Sequence, residues 1–133
     1  MQKKLTLIII FAFILLINCA HQGFSQQTQT IIEKGKLSSK ELKNLIDSKN
    51  KDYMLIDVRS KGEYNGGYIP TAINIPVNTI EENTNKIPKN KLIIVYCKVG
   101  GRAESAKRSL KKLGYENVIN FGGTNDWKYE LVK

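Results

Sequence analysis

Leu92-Ile93-Ile94-Val95-Tyr96-Cys97-Lys98-Val99-Gly100-Gly101-Arg102 is the stretch whose reading decides the fold. An apolar run from Leu92 to Tyr96 leads into a cysteine, and past the two glycines Ala103, Ala106, Leu110 and Leu113 recur at helical spacings of three, four and three. A short apolar run without alternation reads as a strand buried on both faces, so Cys97 is expected at a strand-to-helix turn. There the backbone N–H groups of Lys98, Val99, Gly100, Gly101 and Arg102 have no helical partners, and glycines permit backbone angles that other residues resist. These N–H groups, the positive end of the helix dipole and the cations Lys98 and Arg102 all favour negative charge, which predicts that Cys97 ionises readily to a nucleophilic thiolate. A cysteine that only fills core space is the plainer alternative, but it accounts for neither the two glycines nor the two cations.

Downstream, Gly114 predicts the helix end, and Lys107, Arg108, Lys111 and Lys112 fall on its solvated face opposite Ala106, Leu110 and Leu113. Asn117 to Phe121 predicts another strand, with Gly122-Gly123-Thr124 turning into a last helix in which Trp127 and Leu131 cover the core. Upstream, Tyr53 to Val58 is a buried strand that delivers Asp57-Val58-Arg59 to its carboxyl end, where open α/β sheets place their ligands. Ser60 to Tyr64 predicts one or two helical turns, Ile73 to Val77 an edge strand containing Pro76, and residues 78–90 a short helix and a turn. Ser38 and Glu41 form a capping box flanked by Leu37 and Leu42 as a staple, opening a helix to about Ser48. Gln26 to Thr30 reads as a polar, flexible tether and Ile31-Ile32 as a first short strand. Strands alternating with helices predict one α/β domain, a central, mostly parallel five-stranded sheet with helices on both faces.

The 133 residues suffice for one domain with a real core, and the net charge of +9 suits anionic small molecules. Nucleic acid is not expected, because the basic residues are spaced as a solvated helix face. Met1-Gln2-Lys3-Lys4 followed by the uncharged Leu5 to Ile17 predicts a signal peptide over residues 1–25, too short for a typical membrane-spanning helix of about 20 residues, and hence an exported, periplasmic or extracytoplasmic protein. Cleavage after Ser25 is favoured. The alternative is lipidation at Cys19, which would anchor a lipoprotein. Either way Cys97 is the one cysteine inside residues 26–133, and a lone cysteine in an oxidising compartment points to a reactive thiol rather than a disulfide framework.

With these segments placed, residues 31–132 resemble a single-domain rhodanese, the sulfurtransferase family. Asp57-Val58-Arg59 with Glu63-Tyr64 is similar to the family's first signature, and Gly67-Tyr68-Ile69-Pro70 through Ala72-Ile73-Asn74-Ile75-Pro76 to its second. Cys97 to Arg102 is similar to the active-site loop, and Gly122-Gly123 with Trp127 to the closing motif. Tyr68 stands where a histidine is common and Thr71 where a glycine is common, which predicts altered packing or access rather than lost chemistry. The resemblance implies that Cys97 takes a sulfane sulfur from thiosulfate or a similar anionic donor, holds it as a persulfide, and gives it to a thiol or cyanide. Lys98, Val99, Gly100, Gly101 and Arg102 would bind the donor and the persulfide, with Asp57, Arg59 and Glu63 in support; neither metal nor cofactor is implied, and a monomer is expected. A sulfur or polysulfide carrier, or a rhodanese-like binding module, is the non-enzymatic alternative. A phosphatase or arsenate reductase is disfavoured, because four residues separate Cys97 from Arg102 where the phosphatase loops this stretch resembles have five.

Overall fold

The computed structural model describes residues 23–133. Nearly all of the expected signal segment, including Lys3, Lys4, Cys19 and His21, lies outside the described residues. Four parallel strands form the sheet: β1 Tyr53–Asp57, β2 Ile73–Asn74, β3 Leu92–Cys97 and β4 Val118–Gly123, in the order β2-β1-β3-β4. The chain runs outward from β1 to β2, then crosses to the opposite side of β1 to lay down β3 and β4. The order reverses between β1 and β3, so their carboxyl ends, Asp57 and Cys97, flank the crevice where such sheets bind ligands.

Alternation along β3 divides the core. Leu92, Ile94 and Tyr96 face helices α1 Gln26–Lys34 and α2 Ser39–Asp47, in a cluster with Ile31, Leu42, Leu45 and Trp127. Ile93, Val95 and Cys97 face the other way, toward Ala103, Ala106 and Leu110 of the helix after the loop, Gly101–Lys112. A short helix, α3 Lys61–Asn65, follows β1, which makes Gly101–Lys112 α4. Two 3-10 turns, Val77–Thr79 and Glu81–Lys86, occupy the stretch expected as a short helix and turn. The capping box at Ser38 is present in full, with the Glu41 amide and carboxylate bonded reciprocally to Ser38, and Leu37 and Leu42 are both buried.

Several expectations need correction. The sheet has four strands rather than five, because Ile31-Ile32 lies in α1 and not in a strand. The same helix takes in residues 26–30, expected as a tether. Ser25 caps its first turn, Gly35 ends it at φ 65, and Thr28 and Ile31 bury one narrow face while the polar residues face out. No helix follows β4: Trp127 is buried, but Leu131 is exposed, and the end of the chain forms a bridge between Tyr68 and Val132. Leu113 is also exposed, since α4 closes at Lys112 and Leu113 is its cap. Thr71 adopts φ 72, a left-handed conformation in which a β-branched residue is strained and glycine is not, and its hydroxyl meets Tyr53 Oη at 2.9 Å. Tyr68 stacks on Tyr64 with ring centres 4.1 Å apart, a matter of packing.

Candidate active site

Cys97 closes β3, and the chain needs only three residues to turn into α4. Gly100 makes the turn at φ 99 and occupies the N-cap of α4, where it has no side chain to cap the helix. The Cys97 sulfur lies against this N-cap residue. The Gly100 amide donates to Cys97 Sγ at 3.0 Å, a bond from the N-cap residue's own N–H that ties the sulfur to the start of α4. Gly101, by contrast, has an ordinary φ, and a Cβ there would meet nothing. Of the two glycines expected to curl the loop, only Gly100 does.

Two opposing influences act on the thiol. Burial is the largest and pushes its pKa up; the N–H groups of Ala103, Val99, Gly100 and Arg102 favour the ionised sulfur and together prevail, holding Cys97 below the ordinary thiol value. Ala103 is an addition to the donors expected from the sequence. The thiolate is the form the fold binds, so stabilisation from this group is complete above the free-thiol value of about 8.5 and is lost as pH falls through the lowered folded value. Alkylation of Cys97 against pH is therefore expected to reach half its maximal rate below about 8.5, and a midpoint at or above that value would refute the electrostatic account.

The loop is held from behind by β4 and the turn after it. Thr124 N donates to Cys97 O at 2.9 Å and Asn125 N to Lys98 O at 3.3 Å. Asn120 Nδ2 donates to Gly100 O at 3.1 Å and to Glu104 Oε2 at 3.0 Å, while its Oδ1 accepts from Gly122 N at 2.8 Å. The pairing of β3 with β4 slips at this point, Val95 opposing Asn120 and Tyr96 opposing Gly122, and that bulge aims the Asn120 side chain at the loop. Gly123 packs so tightly that a Cβ would overlap the Lys98 carbonyl and lie 2.6 Å from the Val99 nitrogen. Asn120 is not among the residues expected from the sequence. Its signal was available: an asparagine two residues before a glycine commonly bonds forward to that amide.

The supporting residues separate into two pairs. Asp57 and Arg59 are buried against each other: Arg59 Nε donates to both carboxylate oxygens at 3.0 Å, and Nη2 reaches Asp57 Oδ2 at 2.6 Å and Gly67 O at 2.7 Å. Asp57 raises the Arg59 pKa, and the guanidinium lies 5.8 Å from the centre of the Tyr96 ring. Tyr96 Oη in turn accepts from Ile69 N at 3.0 Å, so this pair braces the residue before the nucleophile and the turn after α3. Glu63 and Arg102 form the second pair. Arg102 Nη1 and Nη2 donate to Glu63 Oε2 and Oε1 at 2.7 and 2.9 Å. Ser60 N and Oγ donate to the same Oε2 at 3.1 and 3.0 Å. Arg102, first among these donors, brings the Glu63 pKa down to about 2. Lys98 is exposed, and among the described residues no carboxylate pairs with it. The loop thus offers a thiolate in a cradle of N–H groups, one exposed cation, and one cation already engaged. A cavity of about 420 Å³ lined by Lys49, Asn50, Lys51, Tyr53 and Lys91 sits at the other end of the strands, away from the loop.

Comparison with known proteins places these features in a family context. The model of the rhodanese-like domain matches residues 38–130. A thiosulfate sulfurtransferase of Escherichia coli is 38% identical over 80 residues, covering 59% of this chain and 77% of that protein. A Bacillus subtilis protein named for a sulfur-carrier role is 34% identical over 93 residues, covering 69% of this chain. The chain spans 50% of the length of that relative and 20% of another. Among solved structures, a human single-domain sulfurtransferase superposes with a TM-score of 0.61 at 30% identity, covering 70% of this chain and 94% of that one.

Proposed function

The chain belongs to the rhodanese-like domain family, and on that footing we propose that Cys97 is the nucleophile of a sulfurtransferase. Family membership and relatives named for sulfurtransferase and sulfur-carrier roles support sulfur transfer in general. The finer reading is ours. The Cys97 thiolate attacks the outer sulfur of a sulfane donor; the donor's S–S bond breaks, the remainder leaves as sulfite or a thiolate, and Cys97 keeps the sulfur as an anionic persulfide. A thiolate or cyanide then attacks that outer sulfur and leaves with it, as a persulfide or thiocyanate, returning Cys97 to the thiolate. Neither step needs a general base, since nucleophile and leaving group are both anions.

The observation that carries this reading is the bond to Cys97 Sγ from Gly100 N, the N-cap amide of α4, at 3.0 Å. The same N–H groups would face the terminal persulfide sulfur and stabilise its charge as an oxyanion hole does. A phosphatase reading gains nothing from the site, because Asp57, the carboxylate at the neighbouring strand end that would have to serve as proton donor, is tied to Arg59. Export is part of the proposal and is supported by the sequence of residues 1–25 alone.

The test is sulfur loading followed by mass spectrometry. Incubation with thiosulfate, a thiosulfonate or polysulfide is expected to add one sulfur atom on Cys97, and cyanide to remove it as thiocyanate. Protein that gains no sulfur from any of these donors would end the proposal. Loading that turns over only with the thiol of another protein supports the carrier reading, which the Bacillus relative's name also favours.

A further inference from the structure

We infer that Glu63 is a specificity-determining residue: by holding Arg102 it turns the site toward singly charged organic persulfides, R–S–S⁻, and away from the thiosulfate dianion. The inference rests on the reading that Cys97 accepts sulfane sulfur. Arg102 lies beside the Cys97 sulfur, but both its terminal nitrogens are engaged by one carboxylate that offsets its charge, and that carboxylate is fixed in turn by the Ser60 amide and hydroxyl at the start of α3. Glu63 cannot swing aside without uncapping α3. Nor can acid open the clamp in the range where thiols react, since the pair loses its carboxylate charge only as pH falls toward about 2.

The charges around the loop point the same way. Against Lys98 and Arg102 the fold sets Glu63 on Arg102, Glu104 on Asn120 and Asp126 on the Gly123 amide. Of the two loop cations, a dianion approaching Cys97 finds only Lys98 without a carboxylate partner among the described residues, and Lys98 is exposed and screened by solvent. An organic persulfide needs less. Its single charge suits one cation, and its carbon substituent can rest on Val99, an apolar side chain 71% exposed at the tip of the loop. The exchange balances: Cys97–S⁻ and R–S–S⁻ give Cys97–S–S⁻ and R–S⁻, one S–S bond forming as another breaks.

The experiment compares kcat/KM for thiosulfate and for the persulfide of 2-mercaptoethanol, which carries one charge, in wild type and in Glu63→Gln. Glutamine keeps the reach of the capping box to Ser60 and removes the charge that holds Arg102. The wild type is expected to favour the persulfide. The variant should gain about fivefold with thiosulfate, mostly through KM, and change less than about twofold with the persulfide, in line with the modest worth of a partly exposed ion pair. A selectivity ratio that stays constant, or equal losses with both donors, overturns the inference and leaves Glu63 a structural support. Failure of wild type to load from either donor overturns the sulfur-transfer reading itself, a result visible without the variant.

Discussion

Cys97→Ser is expected to take up no sulfur from any sulfane donor and to transfer none, a loss of at least about 1,000-fold against the wild-type rate. A serine hydroxyl is not ionised near neutral pH, so the charge that the α4 amides are arranged to bind never appears. The fold should survive. Serine is close to cysteine in size, and its oxygen can accept the Gly100 amide that now bonds the sulfur, keeping the stability change within about 1 kcal/mol. Mass spectrometry after incubation with donor, beside thermal unfolding, separates the two effects. A serine variant that still turns over would place the chemistry elsewhere.

Gly123→Ala is expected to be the most damaging change outside the loop, although it adds one methyl group far from Cys97 in sequence. The new Cβ would fall on the Lys98 carbonyl and 2.6 Å from the Val99 nitrogen, so backbone must move. Backbone here is the ring of donors itself. Overpacking of this kind typically costs about 1–3 kcal/mol, and the displaced amides would let the Cys97 alkylation midpoint drift up toward about 8.5. Gly101→Ala is the control, since its Cβ meets nothing. If Gly123→Ala keeps both its stability and its alkylation profile, the loop does not depend on this contact.

Local signals explain what could be read from the sequence. The strand-to-helix turn at Cys97, the buried strand ending at Asp57 and the Ser38–Glu41 box all lie within a few residues of the patterns that announce them. Helix α1 was hidden because only Thr28 and Ile31 bury, too few to show a period, and adjacent isoleucines mimic a strand. The last segment failed the other way. Trp127 and Leu131 are four apart, but so short a stretch gains little from helix formation alone, and here Trp127 Nε1 bonds Glu130 O and Val132 pairs with Tyr68 instead. The Glu63–Arg102 clamp joins residues 39 apart in the chain, so no local pattern could announce the pairing. Both residues were legible as belonging near the site, but the partner expected for Arg102 was the donor and not a carboxylate of the chain itself.

The bonds that hold the loop come from residues 120–126, which follow it in the chain, so the nucleophile's setting is complete only once that later segment has packed against it. Without them β3 has no neighbour on that side, and the N–H groups around Cys97 are not held in place. The rate of Cys97 alkylation is therefore expected to report how far β4 has docked during refolding.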